Sequence, residues 1–132
     1  GRFRATVIDP QQHLLDCMLL IESHAARHGA LNRIDDDPWS SVRHHLGLRT
    51  DPLISDHKLF WALGNTPFER EAAWRARLQD GLSQHALQSI AAAMHKGWAL
   101  MSAALGERLQ ANIGRRLVQR PRGRPRKPPA TP

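Results

Sequence analysis

Thr66-Pro67-Phe68-Glu69-Arg70-Glu71-Ala72-Ala73-Trp74-Arg75-Ala76-Arg77-Leu78-Gln79-Asp80 is the stretch that decides the fold class. Thr66 and Glu69 stand three residues apart, the spacing of a capping box, in which each side chain satisfies a backbone N–H of the other. Pro67 takes the first helical position, where its missing N–H costs nothing. From there to about Asp80, Phe68, Ala72, Trp74 or Arg75, and Leu78 are available for packing along one helix.

The same punctuation recurs on both sides. Downstream, Ser83 caps a helix over Gln84–Lys96 that ends at Gly97, and Ser102 caps another over Ala103–Ile113 that stops at Gly114. Upstream, Asp9-Pro10 opens a helix to about His28, closed by Gly29; Leu14, Leu15, Met18, Leu19, Ile21 (or Glu22), Ala25 and Ala26 give it one broad apolar face. Asp35, Asp36 and Asp37 before Pro38-Trp39 predict a short helix over Pro38–Leu46, because acids favour a helix start. A further helix is expected over Asp56–Leu63. Only residues 1–8, GRFRATVI, alternate as a short strand would. The fold class expected is mainly α: about six short-to-medium helices on short loops, a short N-terminal strand, and a disordered basic C-terminal tail. The division is a helical domain over 1–113 and a tail over 114–132.

Charge separates these two parts. Residues 1–114 hold twelve acidic and twelve basic residues, so the whole formal charge of +7 lies beyond them. In the tail, Arg115, Arg116, Arg120, Arg122, Gly123, Arg124, Arg126 and Lys127 are the candidate DNA-binding residues. Pro121-Arg122-Gly123-Arg124-Pro125 has the form of an AT-hook core. Prolines keep the backbone extended, and Gly123 lets it lie against a groove floor. Arg122 and Arg124 then reach along a narrow A·T minor groove. Arg120, Arg126 and Lys127 would meet phosphates, with salt-dependent affinity. A charge run without that order reads as a solvated tail that aids solubility.

Little else suggests chemistry. One cysteine, Cys17, excludes an internal disulfide, fits a reducing cytosol, and reads as a small core residue. The apolar runs at Cys17–Ile21 and Ile90–Met94 are too short to span a membrane. His24 and His28 share a helix face but lack further ligands, so no metal site is expected; the histidines read as surface residues. Ser40-Ser41 read as first-turn residues, and Trp39, Trp61, Trp74 and Trp98 as core anchors. There is no tyrosine and no catalytic residue to assign. The chain opens on Gly rather than Met, which reads as a fragment or a processed product.

Five blocks, taken in order, resemble the C-terminal part of the REP-associated tyrosine transposases, single-tyrosine HUH transposases of bacteria. They are Gly1-Arg2-Phe3-Arg4; Leu14-Leu15-Asp16-Cys17-Met18 through Ile21-Glu22 to Arg27 and Gly29; and Pro38-Trp39-Ser40-Ser41-Val42-Arg43. The fourth is His57-Lys58-Leu59-Phe60-Trp61-Ala62-Leu63-Gly64 with Thr66-Pro67 and Glu69-Arg70. The fifth is Lys96-Gly97-Trp98-Ala99-Leu100 with Gly114-Arg115-Arg116 and Gly123-Arg124-Pro125-Arg126-Lys127.

The resemblance implies a family chemistry in which a His-hydrophobic-His pair holds a divalent metal such as Mg and a helical tyrosine attacks the scissile phosphate. Leu20 falls where that tyrosine would be, and His24-Ala25 replaces the usual Asn-Pro. The His-hydrophobic-His segment would precede Gly1, so no cofactor is expected in this chain. The first reading is a truncated or degenerate relative that binds DNA without cutting it. The second is part of an active single-stranded-DNA transposase whose catalytic residues lie upstream or on another subunit. The third is a helical interaction module with a solubilising tail. Expected partners are DNA, as a single-stranded hairpin or an A·T-rich duplex, and further copies of the chain in a homo-oligomer. No membrane is expected, and the expected location is the bacterial cytoplasm at the nucleoid. Leu20→Tyr alone is expected to give no nuclease activity. Incubation with labelled single-stranded DNA and denaturing electrophoresis checks this; a covalent adduct would overturn it.

Overall fold

The computed structural model describes residues 5–114 and Leu117. Helices dominate them, as the capping signals imply. In order they are α1 (Pro10–Glu22), α2 (His24–Arg27), α3 (Val42–His45), α4 (Lys58–Trp61), α5 (Pro67–Asp80), α6 (Gln84–Lys96) and α7 (Ala103–Asn112), with a 3-10 turn at Ile34–Asp36. Among these residues no helix is long and apolar enough to cross a membrane.

The helices capped by Asp9, Thr66, Ser83 and Ser102 start where the sequence puts them. Thr66 and Glu69 form the reciprocal capping box at α5. Ser83 and Ser102 accept from the N–H groups of Ala86 and Leu105. Gly81 and Gly97, which follow α5 and α6, take positive φ, +70° and +67°.

Three helix bounds need correction. The single helix over 10–28 is broken at Ser23, whose hydroxyl donates to the Leu19 carbonyl at 2.7 Å. That bond competes with the helical ladder and divides α1 from α2. The helix over 38–46 begins only at Val42. Asp37 accepts from the Trp39 N–H at 2.9 Å and Ser40 from the Val42 N–H at 3.1 Å, so Pro38–Ser41 is a turn. The helix over 56–63 is the shorter α4, with His57 Nδ1 accepting from the Leu59 N–H at 3.1 Å.

The N-terminal strand shrinks to one parallel bridge, Ile8 to Leu100; residues 1–4 lie outside the described residues. Around it, the Leu100 N–H donates to Val7 and the Asp9 N–H to Leu100, both at 2.8 Å. On the other edge of the same segment, the Ala99 N–H donates to the Leu117 carbonyl at 3.0 Å. The stretch Trp98–Leu100 therefore ties the start of the helical body to its end.

Asp9 reinforces that tie. One carboxylate oxygen caps α1 through Gln11 N–H at 3.2 Å, and the other accepts from the Ser102 hydroxyl at 2.9 Å. Ser102 in turn caps α7, so two helix starts share one carboxylate.

The main core gathers Leu19 from α1, Val42 at α3's start, Leu46 after its end, Phe60 from α4, and Trp74 and Leu78 from α5. Phe60 and Trp74 meet edge to face with centroids 5.7 Å apart. The expectation that all four tryptophans anchor the core fails at Trp39, 95% exposed on its turn, and at Trp61, which is also exposed. Phe68, on the first turn of α5, is likewise 81% exposed. Of the pair left open, Trp74 faces inward and Arg75 outward.

Hydrogen bonds from Ser102 first, and from backbone N–H groups, hold the Asp9 carboxyl below its ordinary value of 3.8. Its folded-state pKa is depressed, so its contribution to stability is present above 3.8 and is lost as pH falls through the native value. Asp9→Asn is expected to flatten the fall in melting temperature between about pH 5 and about pH 2. An unchanged slope would remove Asp9 from that role.

Candidate functional site

The helical face of α1 carries an inversion. Ile21 and Glu22 are neighbours, yet Ile21 is 67% exposed and Glu22 only 1% exposed. A carboxylate so deeply buried requires several donors, since an unpaired charge is expensive away from water. Three reach it. The Ser41 hydroxyl and His45 Nδ1 both bond to Oε1, and the Trp74 indole N–H donates to Oε2 at 2.8 Å.

Each donor is positioned by its own element. The Pro38–Ser41 turn presents Ser41; α3 presents His45; the middle of α5 presents Trp74. His45 is 4% exposed and packs on Phe60 and Trp74, with centroids 4.6 and 5.8 Å away. Its other ring nitrogen, Nε2, lies 3.3 Å from Asp56 Oδ1. His44 Nε2 approaches the same oxygen at 3.6 Å, while His44 Nδ1 accepts from the Asp51 N–H. Asp56 Oδ1 is buried and has no partner in hydrogen-bond geometry.

This cluster opens on a polar cavity of about 210 Å³ between the loop after α3 and the start of α5. Arg49, Thr50, Arg70 and Glu71 line it together with His44 and Asp56. Arg70 is locked in place: its guanidinium lies 4.4 Å from the Trp61 ring centroid and donates to the Gly64 carbonyl at 3.1 Å.

Sequence reasoning missed His45 and treated the histidines as surface groups. The signal was present, since Val42, His45 and Leu46 share the three- and four-residue spacing of a buried helix face. Glu22 was legible only as an alternative to Ile21. Ser41, read as a first-turn residue, is instead a donor to the core. His24 and His28 do stack, centroids 4.4 Å apart. Among the described residues no group of three or more His, Cys, Asp or Glu side chains is arranged to hold a metal ion. Cys17 is half-buried, and burial first, then Asp16, raises its thiol pKa, which disfavours the reactive thiolate. Leu20 is half-buried on α1.

The candidate DNA-binding residues Arg115, Arg116, Arg120, Arg122, Gly123, Arg124, Arg126 and Lys127 all lie outside the described residues. What is described is the approach to them: Leu117 is held by Ala99 and by the Gln110 side chain, which accepts from its N–H at 3.3 Å.

No family model matches the chain, and no curated protein or solved structure is similar to it at a significant level.

Four of the five sequence blocks are represented in these contacts. Glu22 belongs to the second, Ser41 to the third, Trp61, Gly64 and Arg70 to the fourth, and Trp98–Leu100 to the fifth. Glu22→Ala would leave three buried donors without an acceptor and is expected to cost about 3–5 kcal/mol of stability. Urea unfolding followed by Trp74 fluorescence measures it; a loss below about 1 kcal/mol would mean the network is not a structural hub.

Proposed function

We propose that the chain is a transposase-related DNA-binding protein, a degenerate relative of the REP-associated tyrosine transposases that binds DNA without cutting it. The observation that carries the reading is the separation of charge. The body to Gly114 is balanced, and the excess of +7 falls entirely in a segment built around Pro-Arg-Gly-Arg-Pro. A polyanion is the natural partner of such a segment, and a minor groove fits its alternation of arginine with residues that keep the backbone extended and thin.

Two features support the relation to transposases. The blocks that suggest the family occur in its order along nearly the whole chain. The second, third and fourth of them also meet in one core, through Ser41 with Glu22 and through Met18, Val42 and Phe60. The loss of cleavage rests on Leu20, since an aliphatic side chain cannot act as a nucleophile. In this reading the helical body holds the root of the basic segment while its arginines engage phosphate and groove.

Arg122→Ala with Arg124→Ala is expected to remove most of the preference for A·T-rich over G·C-rich duplex. Replacing the phosphate-facing Arg126 with Ala would instead lower the slope of log affinity against log salt by about one. Competition binding at two salt concentrations reads both quantities. A preference that survives the double substitution would overturn the groove assignment, and a wild-type chain that binds no DNA would overturn the function.

A further inference from the structure

One buried imidazole stands between two carboxylates. His45 Nδ1 bonds to Glu22 Oε1 on α1, and its Nε2 lies 3.3 Å from Asp56 Oδ1 on the loop before α4. A neutral imidazole carries one N–H and one lone pair, so it donates to only one of these oxygens. At the other oxygen, lone pair would meet lone pair away from water, where an unpaired charge is expensive. An imidazolium presents an N–H to both sides.

The neighbouring histidine makes no such demand. His44 Nδ1 accepts from the Asp51 N–H at 3.0 Å, which leaves the hydrogen of its neutral form on Nε2. That nitrogen lies 3.6 Å from Asp56 Oδ1, too far for a hydrogen bond, so it marks the oxygen as an acceptor without satisfying it. The two carboxylates also differ in what else holds them. Glu22 keeps the Ser41 hydroxyl and the Trp74 indole whatever the state of His45, whereas Asp56 Oδ1 is buried with no hydrogen-bond partner. Arg49, Arg70 and Glu71 line the adjoining cavity; Phe60 and Trp74, which pack on the imidazole, carry no charge.

We propose that His45 is a proton-operated latch, which as an imidazolium ties the loop over residues 51–57 to α1 through Asp56 and Glu22. When it loses a proton, the loop and α4 detach while α1, α3 and α5 stay packed. The remaining N–H stays on Glu22, where two further donors hold the carboxylate in place, and the Asp56 charge is left unpaired. Histidine is the side chain that ordinarily changes charge near neutrality, so the latch is closed at lower pH and opens as pH rises. Trp61, the support of Arg70, lies on α4, so one wall of the polar cavity moves with the loop. The latch is independent of the DNA-binding reading.

The test uses the full chain with isotope-labelled histidine, whose ring-nitrogen resonances distinguish one bound proton from two. At about pH 7 both nitrogens of His45 are expected to be protonated. Amide hydrogen exchange, corrected for intrinsic rates, is then compared at about pH 7 and about pH 9. The Phe60 and Trp61 N–H groups, which donate to the His57 carbonyl, are expected to lose about tenfold or more of their protection, with Ile90 in α6 unchanged. Asp56→Asn, nearly isosteric, is expected to remove that pH dependence, because a carboxamide can turn its NH2 group to the Nε2 lone pair. A single protonated nitrogen on His45 at the lower pH would overturn the proposal, as would Phe60 and Trp61 protection that is the same at both. So would a loss shared by Ile90, which would mean that the body opens as a whole, or a pH dependence that survives Asp56→Asn.

Discussion

A single buried carboxylate organises the body of this protein. Glu22 sits at the end of α1 and collects donors from a turn, a one-turn helix and the middle of α5. The short helices around it are not stable alone: α3 and α4 are four residues each, far below the length at which an isolated helix persists in water. They are held because Val42, Leu46 and Phe60 close over Leu19 and Trp74, and because Ser41 and His45 can satisfy Glu22 only from one arrangement of the chain. The apolar contacts supply the drive, which is largely non-directional. The carboxylate supplies the register.

Such a hub makes the fold sensitive to a single change. Removing the acceptor leaves buried donors on three elements at once, whereas shortening an apolar side chain in the same core leaves only a gap. The same region carries the polar cavity, so the interaction that orders the core also fixes the groups around it. Asp56 faces His44 and His45, and Phe60 packs on His45; through these residues the position of α4, and of Trp61 with its Arg70, is coupled to Glu22.

A second constraint acts through the two ends of the body. Asp9 links the starts of α1 and α7, and the Trp98–Leu100 segment links residues 7–9 to Leu117. The basic segment therefore departs from a place defined by backbone hydrogen bonds. Under the DNA-binding reading this gives the arginines a fixed origin, and the even charge of the body leaves that segment as the dominant source of electrostatic attraction.

Local chemistry written in the sequence was enough to place α5, α6 and α7 within a residue or so of where they lie. Thr66, Ser83 and Ser102 satisfy backbone N–H groups within their own first turns, and Gly97 needs only its own freedom to turn left-handed. Charge separation and the Pro-Arg-Gly-Arg-Pro order are also properties of the chain as written. Tertiary structure decided the rest. That Glu22 and not Ile21 faces inward depends on Ser41, His45 and Trp74, which are distant along the chain and invisible to periodicity. That Trp39 is displayed and Trp74 buried follows from an Asx turn in one case and a core position on α5 in the other. Hydrophobic patterning weighs each residue by its own transfer free energy, whereas burial of a polar group is settled by the partners that folding brings to it.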